Sequence, residues 1–293
     1  MDSSAINNPE TLPSENVEKY FRWITERCQL PSIPLLVGQI LKMTQDPDLN
    51  VRELCRLLSD DTALTRRILA VARAPYYAQR TTPTTLVEAV NVLGFRTVSS
   101  VVVASAASSL CIKGNRISEK LWAHSLGVAL GTRVLFKRAG LRNVDHGFLA
   151  GLMHDVGEMV LMHGDPGPFE KLVKEVERSQ CRMVDREKES YGFDHMMIGA
   201  ALLRSWNIDP RINQAVLYHH PEVNHNATGQ LGLIVAAADY LCFKAGLGFF
   251  GEPPIPGIDI LDKCGCISDE KTKEVIKEIR AAYAEESALF TPA

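Results

Sequence analysis

The sequence predicts an all-α protein built from two packed helical subdomains. Apolar residues recur at three- and four-residue spacing in one segment after another, each bounded by Gly, Pro, Asp or Asn. No segment alternates apolar and polar residues beside a hairpin turn, and no repeat of fixed period stands out. With 293 residues, 46% of them hydrophobic and 23% charged, the chain can bury a sizeable core as two layers of helices.

The elements follow in order. Residues 1–13 read as a polar, frayed tail. Ser14 offers an N-cap to a helix over 15–28, where Val17, Tyr20, Phe21 and Ile24 share a face. Leu30-Pro31-Ser32-Ile33-Pro34 breaks the chain, and a helix over 35–44 ends at Asp46-Pro47-Asp48. Asn50 caps a helix over 51–58. The turn Ser59-Asp60-Asp61-Thr62 opens another over 63–74, with Leu64, Ile68 and Val71 on one stripe. Residues 75–83 read as irregular. Thr84 or Thr85 starts a helix that runs to Leu93, and Gly94 suits the left-handed position after its end.

Residues 98–110 carry strand-like β-branching. No partner strand lies nearby, and Ala and Ser dilute the pattern toward a buried helix. The apolar stretch 98–112 is interrupted by five serines and is shorter than the roughly 20 residues a bilayer span needs. The polar segment 113–116, with Gly114, marks a subdomain boundary. Helices are then expected over 121–138, 147–162, 169–179, 184–191, 195–206, 210–220 and 229–245. Residues 246–268 are rich in Gly and Pro and read as a surface cover. Asp269 caps a last amphipathic helix over 270–284, with Val275 and Ile279 on its apolar face.

Composition excludes several classes of function. A net charge of −3 gives no global field for nucleic acid or anionic membrane. Residues 1–13 have neither the basic region nor the apolar region of a secretory signal. Seven scattered cysteines are therefore expected to be reduced thiols in a cytoplasm, and Cys264 and Cys266 to be incidental thiols of a loop. Neither a Walker A phosphate loop nor a nucleophile elbow is present. Arg133, Lys137, Arg138 and Arg142 are expected on a solvated helix face; Arg66, Arg67, Arg73 and Arg80 suit a partner better than nucleic acid.

The informative residues are histidines and aspartates. Leu152-Met153-His154-Asp155-Val156-Gly157 holds an adjacent His-Asp pair, expected on one helix with its side chains about 100° apart in projection. His124 stands in Leu121-Trp122-Ala123-His124-Ser125, and His195 follows Phe193-Asp194. His219 and His220 close a helix before Pro221. Asp239 sits inside the apolar run Ile234-Val235-Ala236-Ala237-Ala238, where a carboxylate is costly unless paired or bound to a cation. Taken singly, each is more often a satisfied core residue than a ligand. As an ordered set on apolar helices they suit one or two divalent ions of Fe, Mn, Zn, Ni or Co, and one aspartate can bridge two ions roughly 3.5–4 Å apart.

The chain resembles the HDOD family. The resemblance is carried by Leu30-Pro31-Ser32-Ile33-Pro34, by Ser59-Asp60-Asp61-Thr62-Ala63-Leu64-Thr65 leading into Arg66-Arg67-Ile68-Leu69, by Ala89-Val90-Asn91-Val92-Leu93-Gly94-Phe95, and by the His/Asp segments above with Gly199 and Trp206. It covers residues 30 to 240. It implies an HD-domain-like helical fold, similar to the HD phosphohydrolases and the HD-GYP cyclic-di-GMP phosphodiesterases. On that likeness residues 1–30 form an N-terminal tail and helix, and 31–226 the HDOD module, with a helical subdomain over 31–112 and a metal-bearing one over 113–226. Residues 227–293 then complete the second subdomain.

The resemblance also implies a ligand set. One metal takes His124, His154, Asp155 and Asp239; a second shares Asp155 and adds His195, His219 and His220. Asp155 would be the bridging, catalytic carboxylate in an active member. The chain departs from the enzymes at Glu158, where their motif continues with Lys, at Lys120, where a Glu is often found, and at Glu222-Val223-Asn224, where Gly-Tyr-Pro is missing. An acid at position 158 is expected to repel phosphate. The resemblance thus implies a regulatory signalling module with a non-catalytic metal site, protein signalling partners and a possible nucleotide ligand. The alternative is a metal-dependent phosphohydrolase or phosphodiesterase acting on a nucleotide or cyclic nucleotide. A third reading is a scaffold that binds partner proteins and no metal.

Overall fold

The structure is a computed structural model that describes residues 26, 35–43, 50–77, 82–220, 229–247, 251, 261–262 and 268–291. Among the described residues every regular element is a helix. Apart from Glu26, the expected tail and helix before residue 29 lie outside the described residues, as do the Leu30–Pro34 break, the 221–226 segment and the Cys264/Cys266 pair.

The first half packs short helices around a long one. Helices α1 (Leu35–Met43), α2 (Val51–Leu58) and α3 (Thr62–Ala72) all rest on α4 (Leu86–Ser108). The starts are set by side chains that accept orphan N–H groups. Asn50 accepts from Arg52, Asp61 from Leu64, and Thr85 forms a reciprocal box with Glu88. Gly94 interrupts α4 with φ +73°, a conformation an L residue adopts only with strain, so the chain re-aims between an amphipathic entry turn and an apolar rod. In that rod Val98, Val101, Val102 and Val103 are buried, because neighbours cover more than one face. By length and composition α4 matches a membrane-spanning helix, yet its apolar residues are those of a protein core.

The second half is organised around α5 (Arg116–Arg138). It packs against α6 (Val144–Met153), α7 (Val156–Gly164), α12 (Gln230–Ala245) and α13 (Asp269–Glu286). Helix α8 (Pro166–Ser179) packs on α7 and carries α9 (Met183–Tyr191), while α10 (His195–Ser205) also packs on α7 and α11 (Pro210–Leu217) joins α10 to α6 and α12. One apolar cluster runs from Val37 to Phe290 through both halves, and α4 packs on α6 across the boundary.

Three expectations are corrected. The helix read over 147–162 is two helices, α6 and α7, parted at His154 and Asp155. The cap of α13 is Ser268, whose hydroxyl faces the Lys271 N–H, and Asp269 is already inside the helix. Arg133 does not lie on a solvated face. It is buried, its guanidinium forks onto the Glu286 carboxylate and stacks 4.0 Å from the Tyr76 ring centroid. A charge with a bidentate partner and an aromatic face can enter a core that would reject it alone.

Candidate metal centre

His124 reaches the centre from the middle of α5, in a stretch where Leu121, Trp122, Ser125 and Val128 are also buried. Asp239 comes from α12, the helix that packs along α5, and its Oδ1 lies 3.1 Å from His124 Nε2.

His154 and Asp155 sit at the break between α6 and α7. Asp155 has φ −102° and ψ +19°, so the helical path stops there. The His154 ring takes over the Gly151 carbonyl, three residues back, through Nδ1 at 2.9 Å. That satisfies one of the acceptors a helix end leaves open. His219 repeats the device just past α11, with Nδ1 2.8 Å from the Val216 carbonyl. His124 Nδ1 meets the Leu247 carbonyl at 3.1 Å, beyond the end of α12. A carbonyl only accepts, so Nδ1 of each ring carries a proton and, in the neutral ring, Nε2 presents a lone pair inward.

His195 opens α10, whose first turn is capped by the buried Asp194. Its backbone is pressed against α7 at Gly157, where a Cβ would fall 1.9 Å from the His195 carbonyl oxygen. Only a glycine two residues after Asp155 lets α10 come this near, and the approach puts His195 Nε2 3.4 Å from Asp155 Oδ1. Behind the ring, Nδ1 faces Glu187 Oε2 at 2.7 Å.

Asp155 is the point where the two groups meet. Its Oδ2 lies 2.9 Å from His154 Nε2 and 3.4 Å from His124 Nε2, while its Oδ1 lies 3.3 Å from His219 Nε2 and 3.4 Å from His195 Nε2. Asp155, His195, His219 and His220 form one group whose ligand atoms all lie within 4.8 Å of each other, and His124, His154 and Asp239 form another. The structure thus brings together all seven residues singled out in the sequence.

The electrostatics favour positive charge in this space. Burial by itself disfavours a charged His124, yet Asp155 and Asp239 outweigh it and hold the imidazole well above the ordinary histidine value. His195 is raised against the same burial, with Glu187 the leading carboxylate. Burial, then His220, pushes His219 down to about 3. Asp155 is held well below the carboxylate range; burial opposes this, and the surrounding histidines, His154 first, override it.

The residues present fit a metal. His154 Nε2 and Asp239 Oδ1 are buried without a hydrogen-bond partner despite their close neighbours. His195 Nε2 and His219 Nε2 stand 3.4 Å apart, both with Nδ1 committed elsewhere, so two lone pairs face each other when both rings are neutral. Cations resolve that arrangement, and imidazole with carboxylate is a donor set for first-row divalent ions.

Two buried acids beside the centre escaped the sequence reading. Glu158 was expected to confront phosphate. It instead lies on the Nδ1 side of His195, at 3.9 Å, and burial followed by Asp155 raises its carboxyl well above the usual range, so it favours the neutral acid. Glu187 is fully buried in α9, within a run of charged residues that reads as solvent-facing. The available signal was its spacing: it lies four residues after Met183 and three after Val184, both buried.

Comparison with known proteins agrees with this geometry. The HDOD domain family model matches residues 30–222. An HDOD domain protein from Geobacter sulfurreducens superposes with a TM-score of 0.73 at 26% identity, covering 94% of this chain and 97% of that one. A candidate phosphohydrolase from Shewanella amazonensis shares the fold, with a TM-score of 0.68 at 23% identity over 92% and 97% of the two chains. In sequence, an uncharacterized protein of Treponema pallidum is 23% identical over 65% of this chain, which spans only 37% of that relative's length.

Proposed function

The chain belongs to the HDOD family, and from that premise we propose that it is a cytoplasmic signal-transduction module whose second half holds a two-ion His/Asp centre without hydrolytic turnover. The observation that carries this reading is Asp155, whose two oxygens each face a separate pair of imidazoles. His124, His154 and Asp239 would hold one ion with Asp155; His195, His219 and His220 would hold the other. The ions would tie α5, α6, α10, α11 and α12 at one point, so that a signal read as helix packing is transmitted through a stiff half. The partners are signalling proteins, with a nucleotide as a possible small ligand. The missing cation at position 158, where the related phosphodiesterases carry Lys and this chain has Glu158 on the far side of His195, supports the absence of turnover.

The shared carboxylate favours a second reading, a metal-dependent phosphohydrolase acting on a nucleotide or cyclic nucleotide. Two divalent ions in such a site supply Lewis acidity for phosphoryl chemistry. This chain's residues would hold the ions and carry no cationic group at position 158 for phosphate.

Protein purified without chelator, analysed for metal and assayed on cyclic-di-GMP and bis(p-nitrophenyl) phosphate, separates the readings. Bound metal with negligible turnover is expected. Robust metal-dependent hydrolysis moves the assignment to the enzyme. No metal as purified, and none taken up from Fe(II) or Mn(II), overturns both.

A further inference from the structure

Three of the rings at the centre are held from behind by neutral backbone carbonyls: His124 by Leu247, His154 by Gly151 and His219 by Val216. His195 is held by a carboxylate. A single oxygen of Glu187, Oε2, accepts from the His195 backbone N–H at 2.9 Å and faces the ring Nδ1 at 2.7 Å. Both residues are buried, so water does not screen the pair. The two contacts fix the rotation of the ring and leave Nε2 directed at Asp155 Oδ1.

The charges around the two ligand groups are unequal. The group of His124, His154 and Asp239 has a carboxylate of its own besides Asp155. The group of His195, His219 and His220 has only its share of Asp155. Two divalent ions bring four positive charges, and Asp155 with Asp239 offset two of them. A further buried anion on the histidine-rich side corrects this imbalance, and Glu187 is placed there.

We propose that Glu187 is the positioning residue of the second ion: hydrogen-bonded to His195 through Nδ1–H, it sets the ring's orientation and supplies the negative charge that lets three neutral imidazoles and half of Asp155 retain a divalent cation. This rests on the two-ion reading above. Glu187 could instead be taken as a ligand of a separate ion with Glu158 and His195, whose donor atoms also cluster. The geometry disfavours that, because Oε2 is already engaged by two donors of His195 and a cation at Nδ1 would have to displace the ring proton. A carboxylate behind a ligating imidazole raises its basicity, and removing such a partner costs about 10- to 100-fold in metal affinity.

The test titrates Mn(II) into the full chain and its Glu187→Gln variant, followed by electron paramagnetic resonance and equilibrium dialysis. Gln keeps the size and acceptor but not the charge. In the wild type, two equivalents are expected to give the broadened signal of a coupled pair. In Glu187→Gln the first equivalent should bind as before, and the second should bind at least 10-fold more weakly, leaving the six-line signal of a single ion. Unchanged affinity for both ions, or equal weakening of both, overturns the proposal. A wild type that binds no ion overturns the proposed function instead. Nitrogen-15 resonances of the Zn(II)-loaded wild type give a reading that needs no variant. His195 should show a protonated, exchange-protected Nδ1 and a metal-shifted Nε2; a metal-shifted Nδ1 rules the proposal out.

Discussion

Gly157 and His195 touch backbone to backbone: a Cβ on Gly157 would lie 1.9 Å from the His195 carbonyl oxygen and 2.8 Å from its Cα. The contact sets how far α10 stands from the break that presents Asp155. It also makes the glycine of the His-Asp-Val-Gly segment a spacing device for the metal centre.

Gly157→Ala therefore forces α7 and α10 apart, and no rotamer change relieves a clash with main-chain atoms. A loss of about 3 kcal/mol or more is expected, at the upper end for overpacking, together with loss of the ion held by His195. Gly199→Ala is the control. Its Cβ would press on side-chain methyls of Val216 and Val156 at 3.1 and 3.2 Å and meet the Gly157 backbone N at 3.4 Å, an ordinary van der Waals distance, and about 1 kcal/mol is expected. Thermal melting with metal analysis on both variants checks the contrast; equal effects would show that the backbone contact does not govern the site.

Asp155→Ala should release more metal than any other single ligand change, because both carboxylate oxygens are engaged. Metal that binds only the folded chain stabilises it by mass action, about 2.7 kcal/mol at a concentration 100 times the Kd. The variant's melting temperature should thus stop responding to added Mn(II). If it keeps full metal content and the same response, Asp155 is not the shared ligand.

Arg133 and Glu286 form a buried bidentate pair under the Tyr76 ring, joining α5 to the end of α13 and to the first half. Glu286→Ala leaves a buried guanidinium without its anion, and roughly 3–5 kcal/mol should be lost. Replacing both residues with apolar ones, Arg133→Met with Glu286→Leu, should recover most of that loss. Urea denaturation of the two proteins decides whether the pair supplies stability or only needs its partner.

The halves should not fold apart. Thr97 Oγ1 bonds Asp145 Oδ1 at 2.9 Å, and Arg67 reaches both Ser105 Oγ at 3.0 Å and the Thr291 carbonyl at 2.8 Å. The apolar cluster is continuous across residues 113–116. Fragments 31–112 and 113–293 should be poorly soluble or partly unfolded, and the whole chain should melt in one calorimetric transition. Two independent transitions would make the protein a hinged pair of domains.

The sequence by itself determined the helical class, most helix ends and the ligand candidates. Those properties are local: a 3.6-residue period marks a buried face, Asn50 and Thr85 cap the turns beside them, and Asp239 stands out because a carboxylate in an apolar run needs a counter-charge. The break at His154 and Asp155 was not legible, since neither residue is a helix breaker; it depends on α10 pressing against Gly157 and on the His154 ring taking the Gly151 carbonyl. Glu187 and Arg133 were hidden for a related reason. Glu187 lies among charged neighbours and Arg133 reads with the charges of Lys137 and Arg138 further along its helix, and only the packing of α9 near His195 and of α13 on α5 decides that these particular charges leave water. Local chemistry marks which groups can bind a cation. Which oxygen of Asp155 faces which imidazole is decided by contacts between helices far apart in the chain, because pairings over such separations leave no periodic trace in the sequence.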